Sequence, residues 1–277
     1  MTLGIKRLSV ALPDTVLEDH VSLREKTVKL GQIARSCSVF GVDEIKVFHD
    51  PRGGGESGLM RRVLEYLETP QYLRKRLFPL DESLKFAGLL PPLRIPSHKP
   101  KVPVDSLRIG DFREGATLEG GMQVDVGLDK PLELGQKAGN QKRVTVKITS
   151  VAPLRGVPAA RSDIKEYWGY SVEDCSIDQL LSDPHSGLKI ATSRLGTPLT
   201  ASIKDLSVRI NGSDRVLLIF GSPSRGLFDM VKDLEQRVDL VLNLFPEQHV
   251  LTVRTEEAIA SALYLLQVLS ALQNPKV

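Results

Sequence analysis

Two predominantly apolar runs near the C-terminus, at 216–220 and 238–245, are each followed by a loop. Glycine, serine and proline break the chain at 221–226 after the first run, and Pro246 ends the second. Short apolar runs bounded by turn residues are typical of strands that are buried on both faces of a parallel sheet. Because ligands bind at the carboxyl ends of the strands in such sheets, we predict that the two loops hold one ligand together.

The rest of the chain predicts further elements of the same α/β kind. They are a strand at 5–12, an amphipathic helix at 18–38, a strand at 43–48, a helix at 58–67 and a strand at 188–191. The last strand leads into another loop at 192–199, so three loops are expected at one edge of the sheet. Three consecutive glycines at 53–55 either cradle a phosphate or form a flexible turn.

Between about residues 77 and 158 the pattern changes, because prolines and glycines accumulate and the helical period disappears. Short alternating runs such as 122–126 and 143–148 predict small strands with frequent turns. A compact β-barrel inserted into the α/β domain explains this pattern. Oligonucleotide-binding (OB) barrels have this size, but small barrels serve other functions as well. We predict an α/β domain of residues 1–76 and 157–277, with an OB-like barrel at 77–156.

Composition adds few constraints. The 277 residues are 41% hydrophobic and carry a net charge of +3, which permits an anionic partner without requiring one. The chain has neither an apolar run of about 18 residues nor the pattern of a secretory signal. Cys37 and Cys175 lie far apart. We therefore expect no membrane span, no metal site and no disulfide framework, and we expect a cytoplasmic location.

The three loops contain no pattern for covalent or metal chemistry. The segment 221–226 reads Gly-Ser-Pro-Ser-Arg-Gly, which is not the Gly-x-Ser-x-Gly of a nucleophile elbow. Clustered histidine, cysteine or glutamate at the spacing of metal ligands is also missing from the three loops. Glycine and other small residues let main-chain groups approach a ligand closely. The loops are therefore expected to hold their ligand through backbone groups.

Motifs spread over nearly the whole chain resemble one enzyme superfamily. They include Gly-Gln-Ile-Ala-Arg at 31–35, Phe-Ala-Gly-Leu-Leu at 86–90, Thr-Ser-Arg-Leu-Gly at 192–196 and Val-Arg-Thr-Glu-Glu-Ala at 253–258. Further motifs lie at 69–75, 168–170 and 220–222. In this order and spacing they resemble the SPOUT methyltransferases, in particular an archaeal and eukaryotic branch of RNA methyltransferases with an inserted barrel. The resemblance implies a knotted parallel sheet with helices on both faces, with the knot at about 188–260.

The resemblance also implies that S-adenosylmethionine binds in the knot. The implied cofactor-binding residues are Thr192, Ser193, Gly196, Phe220, Gly221, Ser222, Pro223, Asn243, Leu244, Phe245, Pro246, Val250, Leu251, Thr252, Thr255 and Ala258. Some relatives have an acidic Gly-Pro-Glu-Gly-Gly in the loop at 221–226, whereas this chain has no acid there. The catalytic acid or base of those relatives is therefore not carried over to this loop.

Two arginines match catalytic positions of the family. Arg35 is implied to contact the acceptor or a phosphate, and its alternative is a surface cation on a helix. Arg254 is implied to act in catalysis, and its alternative is an ion pair with Glu256 or Glu257 at the start of the last helix. The donor already carries an activated methyl group, so a protein mainly has to align it with the acceptor and to manage the acceptor's proton.

Basic side chains in and beside the predicted barrel favour RNA as the partner. The candidate RNA-binding residues are Arg74, Lys75, Arg76, Lys142 and Arg143. We therefore predict an S-adenosylmethionine-dependent RNA methyltransferase that acts on ribosomal or transfer RNA, as a homodimer by family resemblance. Methylation of a protein arginine and a non-catalytic role in binding RNA or assembling ribosomes remain as alternatives.

Overall fold

The computed structural model describes residues 5–138 and 142–273, with the side chain of residue 273 excepted. Within them, contacts divide the chain into two units. The first unit comprises residues 5–65, 86–91 and 170–273, and the second comprises 66–85 and 92–169. The domain borders expected from the sequence, 76/77 and 156/157, therefore both fall inside the second unit.

The helices and strands follow one another along the chain and are numbered in that order. They are β1 (Arg7–Pro13), α1 (Leu23–Val39), β2 (Glu44–His49), α2 (Ser57–Glu68), α3 (Gln71–Leu77), β3 (Phe112–Thr117), β4 (Gln123–Asp125), β5 (Leu132–Leu134), β6 (Arg143–Val151), β7 (Leu154–Pro158), β8 (Ser171–Ser176), α4 (Ile177–Ser182), β9 (Leu188–Pro198), α5 (Leu199–Asn211), β10 (Arg215–Ile219), α6 (Leu227–Met230), α7 (Leu234–Arg237), β11 (Leu240–Asn243) and α8 (Thr255–Gln273).

The first unit is built on a parallel sheet of six strands in the order β11-β9-β10-β1-β2-β8. Strand β10 shows why its sequence is an unbroken apolar run. Leu217 and Ile219 pack against residues of α4, α6 and α7, while the alternating Val216 and Leu218 are equally buried on the opposite face. The predicted α/β class with a parallel sheet is confirmed. Because the strands are parallel, β9, β10 and β11 all end at the same edge.

Helix α1 starts later than its sequence pattern suggested. The Ser22 hydroxyl accepts a hydrogen bond from the backbone N–H of Glu25, and the Glu25 carboxylate accepts one from the backbone N–H of Ser22. This capping box fixes the first helical residue at Leu23. The predicted helix start at residue 18 is therefore wrong, and Glu18 and Asp19 lie in the loop between β1 and α1 instead.

The second unit contains a closed barrel of five strands in the order β3-β4-β5-β7-β6, which confirms the small barrel. Its core is formed by eight buried apolar side chains, namely Leu107, Val124, Val126, Leu132, Leu134, Val144, Val146 and Ile148. The barrel closes where β5 pairs in parallel with β7. Closure leaves none of its five strands with an unpaired edge.

A charged network joins the barrel to the C-terminal turn of α2 inside the second unit. Arg143 contacts the carboxylate of Glu68 at 2.5 Å and that of Glu114 at 2.6 Å. Glu114 also accepts a hydrogen bond from the indole N–H of Trp168 at 2.5 Å. Burial lowers the pKa of Arg143, but the two carboxylates outweigh burial and raise it. Arg143 thus has a structural role in this unit.

None of the described helices is long and apolar enough to cross a membrane.

Candidate active site

A cavity of about 540 Å³ lies in the first unit at the edge of the sheet where β9, β10 and β11 end. Five segments of the chain line it. They are the β1–α1 loop at 14–22, the β9 bulge at 192–196, the β10 loop at 221–226, the β11 loop at 244–254 and the first turn of α8. The three segments that the sequence predicted at one edge of the sheet therefore do meet there. The β1–α1 loop and the start of α8 complete the lining.

The β9 bulge arises from a change in strand register. Ala191 pairs with Val241, but the next pair joins Thr197 to Leu242, so residues 192–196 leave the ladder. Gly196 permits this close approach, because a Cβ atom there would lie 2.7 Å from the carbonyl oxygen of Val241. The predicted loop at 192–199 is thus a bulge within β9, and α5 begins at Leu199.

Side chains of the β9 bulge tie it to its neighbours. The Thr192 hydroxyl donates to the carbonyl oxygen of Ile219 at 3.1 Å. The Arg194 guanidinium donates to the carbonyl oxygen of Leu251 at 3.2 Å, and Asn243 donates to the carbonyl oxygen of Arg194 at 3.0 Å. These bonds connect the bulge to β10, to β11 and to the β11 loop, so the segments of the cavity wall hold one another in place.

The β10 loop is a tight turn that is held by acids from elsewhere in the chain. A Cβ atom on Gly221 would lie 2.9 Å from the carbonyl oxygen of Arg225, and that oxygen accepts the backbone N–H of Ser222 at 2.9 Å. Arg225 forms an ion pair of 2.7 Å with Asp50, whose side chain is buried. The turn therefore leaves no space for a side chain at Gly221 unless the loop shifts.

Glu18 of the β1–α1 loop provides the second anchor of the β10 loop. Its Oε1 atom accepts hydrogen bonds from the Ser222 hydroxyl at 2.6 Å, the Ser224 hydroxyl at 2.7 Å and the Ser224 backbone N–H at 2.9 Å. Partial burial raises the pKa of Glu18, but these three donors outweigh burial and hold the pKa below its usual value. Glu18 is therefore a carboxylate anion at neutral pH.

Asp19, the next residue, lines the same cavity and is neutralised from within the protein. Both of its carboxylate oxygens contact the Lys29 ammonium, at 2.7 and 2.9 Å, and the Lys29 side chain is only 1% exposed. The Glu256 carboxylate of α8 lies 3.6 Å from the same ammonium. The buried lysine thus joins α1, the β1–α1 loop and the start of α8 behind the cavity.

The β11 loop ends in the first turn of α8. The backbone N–H of Arg254 donates to the Glu257 carboxylate at 3.0 Å, which places an acid at the helix start, where the helix dipole favours it. Within the described residues, the Arg254 guanidinium forms no ion pair with Glu256 or Glu257, because those carboxylates face Lys29 and the backbone. Arg254 is exposed and lines the cavity.

Most of the expected cofactor residues line this cavity. Those that do not are Gly196, Pro246 and Val250, although Gly196 shapes the bulge. The two expected catalytic arginines are separated, since Arg254 lines the cavity whereas Arg35 is an exposed residue of α1 that does not. Further lining residues that the sequence did not indicate are Glu18, Asp19, Arg194, Ser224, Leu242, Gln248 and Val253. The capping box at Ser22 was the available signal for Glu18 and Asp19, because it excludes both from the helix.

The expected RNA-binding residues have different environments in the second unit. Lys75 and Lys142 are exposed. Arg76 is half exposed and lies 3.3 Å from Asp125. Arg74 donates to the carbonyl oxygens of Leu67 and Thr69 and stacks on the Tyr66 ring, and Arg143 is held by two carboxylates. The last two arginines therefore use their guanidinium groups in internal contacts.

In the part of the chain that the structure describes, no cluster of three or more histidine, cysteine, aspartate or glutamate side chains could hold a metal ion. Burial raises the pKa of Cys37 to about 12 and that of Cys175 to about 11, so both thiols are protonated at neutral pH.

The sequence matches known proteins over most of its length. Residues 7–266 match the model of a family described as "Putative RNA methyltransferase". An uncharacterized protein of Halobacterium salinarum is 35% identical over 92% of this chain and 96% of its own length. The 28S rRNA (uridine-N(3))-methyltransferase of Homo sapiens is 34% identical over 94% of this chain and 77% of its own length. The protein of the same name in Mus musculus is 33% identical over 94% of this chain and 76% of its own.

Proposed function

The chain belongs to this family of RNA methyltransferases, and we propose that it transfers a methyl group from S-adenosylmethionine to N3 of a uridine in ribosomal RNA. The family match supports RNA methylation, and the names of the mammalian relatives support the uridine nitrogen. The observation that carries the cofactor proposal is the cavity at the edge of the sheet beside β9, β10 and β11, which most of the expected cofactor residues line.

The residues of the cavity fit such a donor. Its volume of about 540 Å³ lies within the usual range for small-molecule sites, about 300–1,000 Å³. Leu244, Phe245 and Leu251 offer an apolar surface for a base, while the β9 bulge and the β10 loop offer main-chain groups. When bound, S-adenosylmethionine supplies a methyl group on a positively charged sulfur. The chain's own task is to orient donor and acceptor within reach of each other.

We propose that Arg254 manages the charge of the acceptor. The N3 nitrogen of uridine carries a proton that must pass to solvent water as the N–CH3 bond forms, and negative charge develops on the two flanking carbonyl oxygens as it leaves. A guanidinium in the cavity wall stabilises this charge more strongly than water does. Arg254 is suited to the role because it lines the cavity and its side chain forms no ion pair with a described acid. Arg35 stays a proposed phosphate contact on α1.

Lys75, Arg76 and Lys142 are proposed to contact the phosphate backbone of the RNA from the second unit. All three side chains are exposed, and exposed cations supply most of the non-specific affinity for nucleic acids. We also propose that the first unit forms a homodimer and that segment 188–260 is knotted, as the family resemblance implies. Exposed apolar side chains on α5 and α8, among them Val208, Tyr264 and Leu272, support a second copy as partner.

Transfer of labelled methyl from S-adenosylmethionine tests the proposal. Protein-free ribosomal RNA, transfer RNA and ribosomal proteins serve as separate acceptors. We expect label in ribosomal RNA, released by nuclease and eluting as 3-methyluridine after hydrolysis to nucleosides. Label only in protein would replace the proposal with arginine methylation. Cofactor binding without label in any acceptor, including assembled ribosomal subunits, would favour a non-catalytic RNA-binding role.

Gly221→Arg provides the matched inactive control. The added side chain has no space in the β10 loop, so we expect loss of cofactor binding with retained RNA binding. Equal affinity of the wild type and Gly221→Arg for S-adenosylmethionine would show that the β10 loop is not part of the cofactor site.

A further inference from the structure

Three acids either hold the β10 loop or line the same cavity, and they differ in how their charge is balanced. Asp50 is paired with Arg225 at 2.7 Å, and Asp19 is paired with Lys29 at 2.7 Å. The partners of Glu18 are two hydroxyl groups and one amide, which are all neutral. Among the described residues, no lysine, arginine or histidine forms an ion pair with Glu18. Glu18 is therefore an acid of the cavity wall whose carboxylate contacts only neutral donors.

We propose that Glu18 recognises a positive charge of the methyl donor, so that the β1–α1 loop supplies the acid that the β10 loop itself lacks. This inference rests on the proposed function, because it assigns a partner to a residue of the same cavity. S-Adenosylmethionine offers two positive charges, the sulfonium and the amino group of its methionine part. Both attract a carboxylate through their positive charge, and the amino group can in addition donate hydrogen bonds to it.

The geometry favours Glu18 as a fixed negative charge and not as a residue that accepts a proton. Three donors converge on Oε1, and their bonds favour the ionised form of the carboxylate. They also lower its basicity, which makes Glu18 a weak general base. The same bonds fix the carboxylate in the cavity wall, so that little reorganisation is needed when a cation binds.

Calorimetric titration of the full-length protein and of Glu18→Gln with three ligands tests the assignment. S-Adenosylmethionine carries both positive charges, S-adenosylhomocysteine has only the amino group, and 5′-methylthioadenosine has neither. Glutamine keeps the size of the side chain and an oxygen that can accept from Ser222 and Ser224. We expect the dissociation constant for S-adenosylmethionine to rise about tenfold, equivalent to about 1.4 kcal/mol. The constant for 5′-methylthioadenosine should change less than twofold.

The S-adenosylhomocysteine titration identifies the charge. Unchanged affinity assigns Glu18 to the sulfonium, and a loss similar to that for S-adenosylmethionine assigns it to the amino group. Two controls accompany the variant. Asp205→Asn removes the same charge from the exposed side of α5 and should leave all three constants unchanged. Ser224→Ala keeps the charge of Glu18 but removes one of the three hydrogen bonds that hold it, so the loss for S-adenosylmethionine should be smaller than in Glu18→Gln.

Two results would overturn the assignment. One is an unchanged constant for S-adenosylmethionine in Glu18→Gln. The other is an equal loss for 5′-methylthioadenosine, which would mean that Glu18 only shapes the loop. A wild-type protein that binds none of the three ligands would instead contradict the proposed function.

Discussion

Arg143 donates two hydrogen bonds to the carboxylate of Glu68, at 2.5 and 3.1 Å, although 75 residues separate them in the sequence. The pair joins β6 to the last turn of α2. Both Glu68 and Glu114, the other carboxylate on Arg143, are buried. Removal of the guanidinium would take away the cation that these two buried carboxylates share, and breaking a buried charged network from one side is costly.

Arg143→Met is therefore expected to destabilise the second unit by about 3 kcal/mol. The chain has one tryptophan, Trp168, and it lies buried in this unit beside Glu114. Its fluorescence during urea denaturation therefore reports the unfolding of the second unit. The neighbouring Lys142→Met removes an exposed cation and should cost less than about 0.5 kcal/mol. Equal urea midpoints for the two variants would contradict the structural role of Arg143.

The stability of the second unit is also expected to fall in mild acid because of His98. Burial lowers the pKa of His98 below its usual value, and the hydrogen bond of 2.7 Å with the carbonyl oxygen of Glu68 offsets this only in part. The unfolded chain therefore binds a proton before the folded chain does. The contribution is fully present above the unfolded pKa, about 6.5, and is lost as the pH falls through the folded value.

Urea denaturation followed by Trp168 fluorescence between pH 7.5 and pH 5 measures this effect. The decline should be shallower in His98→Gln, which keeps a donor for the carbonyl oxygen but does not titrate. Parallel pH profiles of the wild type and the variant would show that another group is responsible.

A methyl group at Gly196 is expected to destabilise the first unit and weaken cofactor binding. Its Cβ atom would lie 2.7 Å from the carbonyl oxygen of Val241, which is backbone and has little freedom to move. Overpacking of this kind costs about 1–3 kcal/mol. Circular dichroism during thermal unfolding and a titration with S-adenosylmethionine measure the two effects.

Gly58→Ala is the matched control for Gly196→Ala. A Cβ atom there meets no other atom within 4 Å, and the residue lies in α2. Alanine is the better helix former by about 1 kcal/mol at most, so this variant should be as stable as the wild type or slightly more stable. The prediction would be wrong if Gly58→Ala were destabilised while Gly196→Ala remained as stable as the wild type.

Arg254→Gln is expected to reduce kcat for RNA methylation about 100-fold while the affinity for S-adenosylmethionine changes little. This magnitude is typical for the loss of one charge-stabilising group at a reacting centre. Arg209→Gln removes an exposed arginine of α5 that pairs with Asp205, and it should leave kcat unchanged. Single-turnover rates at saturating cofactor separate the two effects. A defect confined to cofactor affinity would assign Arg254 to binding.

The apolar pattern was sufficient to predict the central strands. The run at 216–220 predicted most of β10 (Arg215–Ile219), which is buried on both faces because a parallel sheet covered by helices accepts an unbroken apolar run. The segments at 192–199, 221–226 and 244–257 could be placed at one edge for the same reason, although the first is a bulge within β9 and not a loop after it. Family motifs then indicated most of the residues that line the cavity, since each motif is local in sequence.

The tertiary structure alone decided which distant side chains complete the site. Glu18 contacts Ser222 across 204 positions, and Asp50 contacts Arg225 across 175. Neither contact can be predicted from the hydrophobic periodicity of the sequence, because each depends on where the chain folds back and not on its local pattern. The helical pattern predicted that residue 18 belongs to a helix. In the structure the helix begins after the cap at Ser22, so residue 18 lies in the cavity wall. The sequence determined the sheet and its loops, and long-range packing determined the charges around the cavity, because a carboxylate's function depends on the groups that reach it in space.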